Sequence, residues 1–545
     1  MLDRKERMST VDAVIVGAGF SGLYLLHRLR GLGFTARVFE RGDGVGGTWY
    51  WNRYPGARCD VESMQYSYSF DEKLQQEWHW PEKFSAQPDI LAYAEHVAER
   101  FDLTKDIDFE TEVITACFDE RTRRWKVETD SGEKVNAQHL IMATGCISTA
   151  QIPEIDGLSD YRGSTYHTGR WPHEKVDFTG QRIAVIGTGS SGIQTIPVLA
   201  EEAAHVTVFQ RTPNYSIPSQ NEPMQPKYEA SWKANYTAKR QEMRYTGHGS
   251  LKDLNDKSAM SADENERQKT YTERWKIGGA GFLASFNDLL FSQESNDTAS
   301  EFVRQQIRKI VKSPKTAELL APKTYPIGTK RICIDSGYFE TYNRDNVDLV
   351  DISEEPIERL TPTGLIAHGK AFKFDSIVFA TGFDAMTGTL FNVDIRGRAG
   401  LTLKQKWYAG PRTYLGLMSE AFPNLFMITG PGSPSVKSNM MVSIEQHVDF
   451  VTESIVYMRQ HGLEVMEPEL AAEDDWVDHV QETANKTLFP RANSWYMGAN
   501  IPGKPRLFMP YIGGVGTYRK KCEKIVAENY KGFHFKPAAA VAAAE

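Results

Sequence analysis

Apolar and polar positions fall into the same arrangement twice along this chain. Residues 12–16 form a short β-rich apolar run, Gly17-Ala18-Gly19-Phe20-Ser21-Gly22 follows at once, and residues 23–30 carry a helical pattern. That order predicts strand, tight glycine turn and helix. A second short strand over residues 36–39 ends at Glu40, eighteen residues past Gly22. The unit recurs: residues 182–186 are apolar, Gly187-Thr188-Gly189-Ser190-Ser191-Gly192 repeats the glycine spacing, 193–199 reads as an apolar helix, and the strand 205–209 ends at Gln210. Each unit also has a later apolar strand, 140–142 running into Ala143-Thr144-Gly145 and 376–380 running into Thr381-Gly382. A hairpin turning at Asp130-Ser131-Gly132 precedes the first, and a turn-rich strand region around residues 361–364 precedes the second.

The remaining pattern is helical. Residues 221–323 are rich in charged residues and helix formers, with Tyr228, Trp232 and Tyr236 at helical spacing, a capping box at Ser261-Ala262-Asp263-Glu264, and a stripe of Val303, Ile307, Ile310 and Val311. A strand over 424–428 and an amphipathic helix carrying Ile444, Val448, Val451, Ile455 and Met458 follow, stopping at Gly462. The expected fold is α/β: two Rossmann-like dinucleotide-binding domains with a helical insertion in the second. The first domain takes residues 1–146 and 384–545, the second 147–220 and 324–383, and the insertion 221–323.

Composition narrows the function classes. The chain has 545 residues, 41% of them hydrophobic, enough for two or three packed domains. With 63 Lys and Arg against 71 Asp and Glu it carries a net charge of -8 and no long basic run, so neither nucleic acid nor a membrane surface is an expected partner. No apolar run approaches the about 20 residues of a spanning helix, and the charged start 1–7 leads into no signal-peptide core. A cytoplasmic monomer or weak homo-oligomer is expected. Cys59, Cys117, Cys146, Cys333 and Cys522 form no C-x-x-C pair, so no metal site is expected and the thiols read as buried or inert. The alanine-rich tail after Pro537 reads as mobile.

The two glycine motifs ask for different nucleotides. In each, the first glycine allows the turn, the second admits a pyrophosphate to the backbone, and the third lets helix and strand pack closely. Glu40 can accept hydrogen bonds from both ribose hydroxyls and would repel a 2′-phosphate, so the first site fits FAD or NAD. At the same offset the second unit has Gln210 followed by Arg211, and a guanidinium suits a 2′-phosphate, so the second site selects NADP(H). The loop Gly46-Gly47-Thr48-Trp49-Tyr50-Trp51-Asn52-Arg53-Tyr54-Pro55-Gly56 is too aromatic for a plain connector, and flat rings suit an isoalloxazine. Together these imply a flavoprotein that takes hydride from NADPH.

Between the two motifs lies Tyr161-Arg162-Gly163-Ser164-Thr165-Tyr166-His167-Thr168-Gly169-Arg170-Trp171-Pro172, expected as a loop that couples two cofactors. Gly163, His167, Trp171 and Pro172 resemble the F-x-G-x-x-x-H-x-x-x-W-P fingerprint of Baeyer-Villiger monooxygenases, with Tyr161 in place of Phe. Residues 46–56, Gly-Thr-Lys-Arg at 328–331, Gly-Pro-Gly-Ser-Pro-Ser at 430–435 and Ser-Trp-Tyr-Met-Gly-Ala-Asn at 494–500 extend the resemblance over nearly the whole chain, closest to the phenylacetone and steroid branch. The resemblance implies FAD and NADP(H) as cofactors, a ketone and O2 as substrates, a flavin C4a-peroxide as oxidant, and an ester or lactone as product, with sulfides as side substrates. It also implies roles: Arg331 catalytic, Asp60 its holding carboxylate, Gly47, Thr48, Trp49 and Tyr66 near the flavin, and Lys330 with Arg211 and Thr212 at the 2′-phosphate. Trp495 is implied near the nicotinamide and Ser435, Val436, Lys437 and Met440 in a substrate-facing loop. Lys437 stands where that branch is usually apolar; the cost of burying an unpaired ammonium points it to solvent, the alternative being a polar or large ketone that reaches the rim. His167 is expected to tie the domains together rather than act at the carbonyl.

Three competing readings differ in their signatures. Flavin N- and S-oxygenases resemble the fingerprint up to the histidine but typically lack its Trp-Pro, a disulfide reductase needs a C-x-x-C, and a nucleotide-holding sensor would show no ketone-dependent NADPH consumption.

Overall fold

The first apolar run becomes the strand Ser9–Val16, which pairs in parallel with Ala36–Phe39 on one side and Lys134–Met142 on the other. The structure is a computed structural model that describes residues 9–538; the charged start and the alanine-rich tail from residue 539 lie outside the described residues. This first sheet has eight strands. Ile107–Asp108 closes one edge, the antiparallel pair Arg124–Thr129 and Val113–Asp119 extends the other, and Leu425–Met427 returns late in the chain to lie parallel to Lys134–Met142. The strand faces separate as a period of two requires: Ala13 and Ile15 enter the core beneath the helices Phe20–Gly31 and Met440–Gln460, and Val14 and Val16 the core around Trp125 and Phe422.

The second sheet has five parallel strands in the order Val347–Asp351, His205–Gln210, Arg182–Ile186, Ser376–Phe379, Ser164–His167. Ile183 and Val185 face one core and Ala184 and Ile186 another. The first sheet is parallel around its glycine turn with an antiparallel extension, the second is parallel throughout, and each has helices on a face, the α/β architecture that the glycine motifs require. The stretch 161–172 is not a plain loop. Its centre is the edge strand Ser164–His167, followed by the short turn Thr168–Arg170, because backbone pairing to Ser376–Phe379 supplies a ladder that local sequence does not announce.

Residues 221–323 are helical, but they serve both cores. Trp232, Tyr236 and Met243 pack with the first sheet's helices, whereas Tyr271, Phe302, Val303 and Ile307 pack against the second sheet. Tyr228, Trp232 and Tyr236 do not share one helix: Pro226–Lys233 ends, and Tyr236–Met243 starts after Asn235 leaves helical geometry at φ -133°. The cap of the helix Glu264–Ile277 is Asp263, whose carboxylate accepts from the Glu266 amide at 2.9 Å; Ser261 donates instead to the Ser258 carbonyl. The helix Met440–Gln460, expected to be amphipathic, also buries its polar residues: His447 Nδ1 accepts from the Thr429 amide at 3.0 Å. Among the described residues no helix is long and apolar enough to cross a membrane.

Candidate functional site

A cleft of about 1180 Å³ runs between the two sheets, and both glycine turns open onto it. Gly17 and Gly187 adopt φ of 103° and 110°, which sterically only glycine takes up readily, and a Cβ on either would run into a carbonyl oxygen of the neighbouring strand end, Ala143 at 2.8 Å and Ala380 at 2.5 Å. Each turn aims the chain into a helix whose N-cap glycine, Gly19 or Gly189, provides no side-chain cap, so the first amide groups face the cleft unsatisfied by the cap residue. A Cβ on Gly189 would meet no atom within 4 Å, so the space above this helix start is open. Two helix N-termini on one cleft, with open backbone amides, form two cradles for anionic groups. A dinucleotide's pyrophosphate fits each.

The charges beside the cradles differ. Glu40 is buried at the end of Ala36–Phe39, its two oxygens accepting from the Ala18 and Gly42 amides at 2.8 Å each, and burial raises its pKa. Beside the second cradle, Arg211 and Lys330 share the cleft wall. Burial, then the Arg211 charge, pulls Lys330 down to about 8, the behaviour of two cations that face each other without an anion between them. Gln210, by contrast, turns away to donate to the Leu319 carbonyl at 2.7 Å.

Where the cradles meet, the Arg331 guanidinium forms a fork on Asp60, with Nε to Oδ2 at 2.9 Å and Nη2 to both oxygens at 2.6 Å. Its remaining Nη1 donates to the Val436 carbonyl at 3.0 Å. Asp60 is the chief reason the Arg331 pKa rises above that of a free guanidinium, despite burial that opposes it. Trp49 Nε1 donates to the Tyr66 hydroxyl at 3.2 Å, and the two rings meet edge to face at 6.0 Å, forming an aromatic wall of the cleft. A fixed, permanently charged donor on the cleft wall can stabilise negative charge that develops on a reacting oxygen.

The family model for pyridine nucleotide-disulphide oxidoreductases matches residues 14–328. A Baeyer-Villiger monooxygenase of Pseudooceanicola batsensis is 41% identical over 523 residues, 95% of this chain and 95% of its own length. The chain belongs to the Baeyer-Villiger monooxygenase family. A solved structure described as oxidized steroid monooxygenase bound to NADP is 51% identical, with a TM-score of 0.93, over 97% of this chain and 100% of that one. A phenazine N-monooxygenase of Lysobacter antibioticus is also 40% identical over 537 residues, 97% of this chain and 98% of its own. The five cysteines named in the sequence form no disulfide.

For this member of the Baeyer-Villiger monooxygenase family, the cleft brings together most of the residues singled out by sequence. Gly17, Gly19, Glu40, Gly47, Thr48, Trp49, Asp60 and Tyr66 line it from the first unit. Gly187, Thr188, Gly189, Ser190, Ser191, Arg211, Thr212, Lys330 and Arg331 line it from the second, with Trp495, Val436 and Met440 closing it. Gly22 and Gly192 lie outside it and serve helix packing: a Cβ would approach the Gly17 and Gly187 carbonyl oxygens to 1.9 and 2.3 Å. The fingerprint residues also lie outside. Gly163 is crowded by the Tyr161 ring and the Asp375 carbonyl, Trp171 packs in a core with Tyr54 and Ala57, and Pro172 follows it. His167 is buried, accepts from the Gly169 amide at 2.9 Å, and lies 3.3 Å from both the Gln151 carbonyl and the Thr381 hydroxyl. Burial pulls its pKa down to about 4, so near neutral pH it is an uncharged bridge.

The loop at 435–440 differs from the sequence expectation. Ser435 is buried behind the cleft wall, and Lys437, half-buried, turns its ammonium onto two rings, 4.3 Å from the centre of Phe489 and 4.7 Å from that of Tyr496. The aromatic faces offset part of the burial cost, which is why the side chain turns inward. The later strand of each unit also ends on the cleft. Thr144-Gly145-Cys146 and Thr381-Gly382-Phe383 also line the cleft, and their repeated Thr-Gly was the signal that could have placed them.

Proposed function

We propose that the chain is an NADPH- and O2-dependent flavin monooxygenase that converts ketones to esters or lactones and oxidises sulfides as side substrates. The Arg331–Asp60 fork, set where two dinucleotide cradles meet, is the observation that carries this reading. Bound FAD and NADPH supply the redox chemistry, hydride from the nicotinamide and activation of O2 at the isoalloxazine.

The chain's own residues do the rest. The Phe20–Gly31 cradle and Glu40 hold FAD by pyrophosphate and ribose, and the Ser190–Glu202 cradle holds NADP(H), with Arg211 and Lys330 on its 2′-phosphate. Trp49 and Tyr66 wall the flavin side, and Trp495 the nicotinamide end. Arg331 places a positive charge where the ketone oxygen turns negative, and Asp60 fixes that guanidinium without removing its charge, since arginine does not deprotonate. The first core with its sheet supports assigning residues 1–146 and 384–545 to FAD, and the second supports assigning 147–220 and 324–383 to NADP; of 221–323, the part near Trp232 and Tyr236 is assigned to the FAD side. A cytoplasmic enzyme fits the demand for NADPH.

The test is oxygen-dependent NADPH oxidation with product identification across aryl, cyclic, long-chain and steroid ketones, run beside a sulfide and an aromatic amine. Ester or lactone should form in proportion to NADPH consumed. Oxidation at sulfur or nitrogen with no ester from any ketone would move the chain to the N- and S-oxygenases.

A further inference from the structure

Beside Arg331 lies a concentration of positive charge that the oxygenation reading does not use. Lys437 sits between Val436 and Ser438, both of which line the cleft, and turns its ammonium over Phe489 and Tyr496. On the segment after the helix Tyr236–Met243, His248 and Lys252 lie exposed at the rim, and the Lys252 charge acts on Lys437. That segment is fixed in place: the His248 carbonyl accepts from the Asn439 amide at 2.8 Å, and the Leu251 amide donates to Gln65 Oε1 at 2.8 Å.

The negative charges in reach are committed elsewhere. Asp60 is taken by the Arg331 fork, and Glu62 accepts from the Tyr228 hydroxyl at 2.5 Å and from Gln65 at 3.1 Å while facing Lys83 at 3.9 Å. Among the described residues neither Lys437 nor Lys252 has a carboxylate within ion-pair distance. The buried Tyr496 hydroxyl, under Lys437, also lacks a hydrogen-bond partner. Burial and then the Arg331 and Lys252 charges pull Lys437 down to about 7. A leucine at 437 would pack on the same two rings without any of this cost.

We propose that the ketone taken by this chain carries a carboxylate, and that Lys437, with Lys252 beside it, is the subsite that selects this anionic group while the carbonyl lies at Arg331. An incoming carboxylate supplies the missing partner for Lys437 and an acceptor for the Tyr496 hydroxyl. The proposal rests on the Baeyer-Villiger reading and narrows its substrate class to oxo acids.

The experiment compares kcat/KM for an oxo acid and its methyl ester of the same chain length in the FAD-loaded enzyme, wild type against Lys437→Leu and, separately, Lys252→Ala. The wild type should prefer the acid, and Lys437→Leu should lower the acid-to-ester ratio by about tenfold or more, the size of one charge-assisted hydrogen bond; Lys252→Ala should lower it less. A merely structural role for Lys437 moves acid and ester together and leaves the ratio unchanged, which overturns the proposal, as does a Lys437→Leu effect confined to the KM for NADPH. If the ester is oxygenated and the acid is not preferred, the subsite is wrong and the oxygenation reading stands. If neither ketone gives a product, both are wrong.

Discussion

Arg331 and Lys330 are adjacent in the chain, yet their surroundings push them in opposite directions. Asp60 raises the pKa of the one; burial and Arg211 pull the other to about 8. The proposed function puts a 2′-phosphate between Lys330 and Arg211, where it would favour the protonated amine, so binding should be strongest below pH 8 and weaken as the amine loses its proton above it. The KM for NADPH should therefore rise with pH above about 8, by about tenfold per unit at the limit, while that for NADH stays flat. Arg211→Ala should raise the NADPH KM about 10- to 100-fold with little change for NADH, the loss of a charged contact; equal rises would sink the phosphate assignment. Arg331→Ala should still bind FAD and be reduced by NADPH, but lose on the order of 10² to 10³ in ester formation, as when an oxyanion donor is removed. Gas chromatography of the product decides it, and a surviving ester yield refutes the catalytic role. Arg331 and Asp60 were legible only as a matched family motif, because 271 residues separate them and no local pattern pairs them. The inward turn of Lys437 was not legible, since Phe489 and Tyr496, which hold it, lie some 50 to 60 positions on.

Elements whose shape is set locally were readable, and those set by distant partners were not. Both glycine turns follow from steric limits within six residues. The edge strand Ser164–His167 exists because Ser376–Phe379 pairs with it, and that partner lies about two hundred residues away. This strand ends on His167, whose folded pKa near 4 is below its ordinary 6.5. A group with a lowered basic pKa is protonated first in the unfolded chain, so stability is full above pH 6.5 and falls as the pH drops toward 4. The loss from His167 is about 1–3 kcal/mol at the acid end, and His139 and His447, buried and pulled to about 3, act in the same direction. His167→Asn, which cannot protonate, should flatten the stability difference between pH 7 and pH 4.5 in denaturant melts and keep FAD bound. An unchanged slope would show that His167 is not protonated on unfolding in this window.

At the scale of the molecule, the two units must hold their cofactors in one orientation across the cleft, and one of the contacts between them is made by the loop after Trp49. The loop following Trp49 lies on the helix Ser190–Glu202: Tyr54 donates to Gln194 at 2.7 Å, Gln194 donates back to the Arg58 carbonyl at 3.0 Å, and Tyr54 and Ala57 share a core with Trp171 of the fingerprint. Gly56 is the point of closest approach. Its φ is 83°, and a Cβ there would sit 2.3 Å from the Gln194 carbonyl oxygen. Gly56→Ala must therefore push the loop off the helix or strain the backbone, at a cost of about 1–3 kcal/mol, and the displacement falls on the distance between the cradles rather than on either cradle. FAD content and reduction by dithionite should be normal, while anaerobic reduction by NADPH, followed by flavin bleaching in a stopped-flow mixer, should slow by on the order of tenfold, because hydride transfer falls steeply with misplacement of about 1 Å. If NADPH reduction keeps its wild-type rate, the alignment of the units does not depend on this contact, and the fingerprint stretch couples them through Trp171 and the second sheet's edge instead.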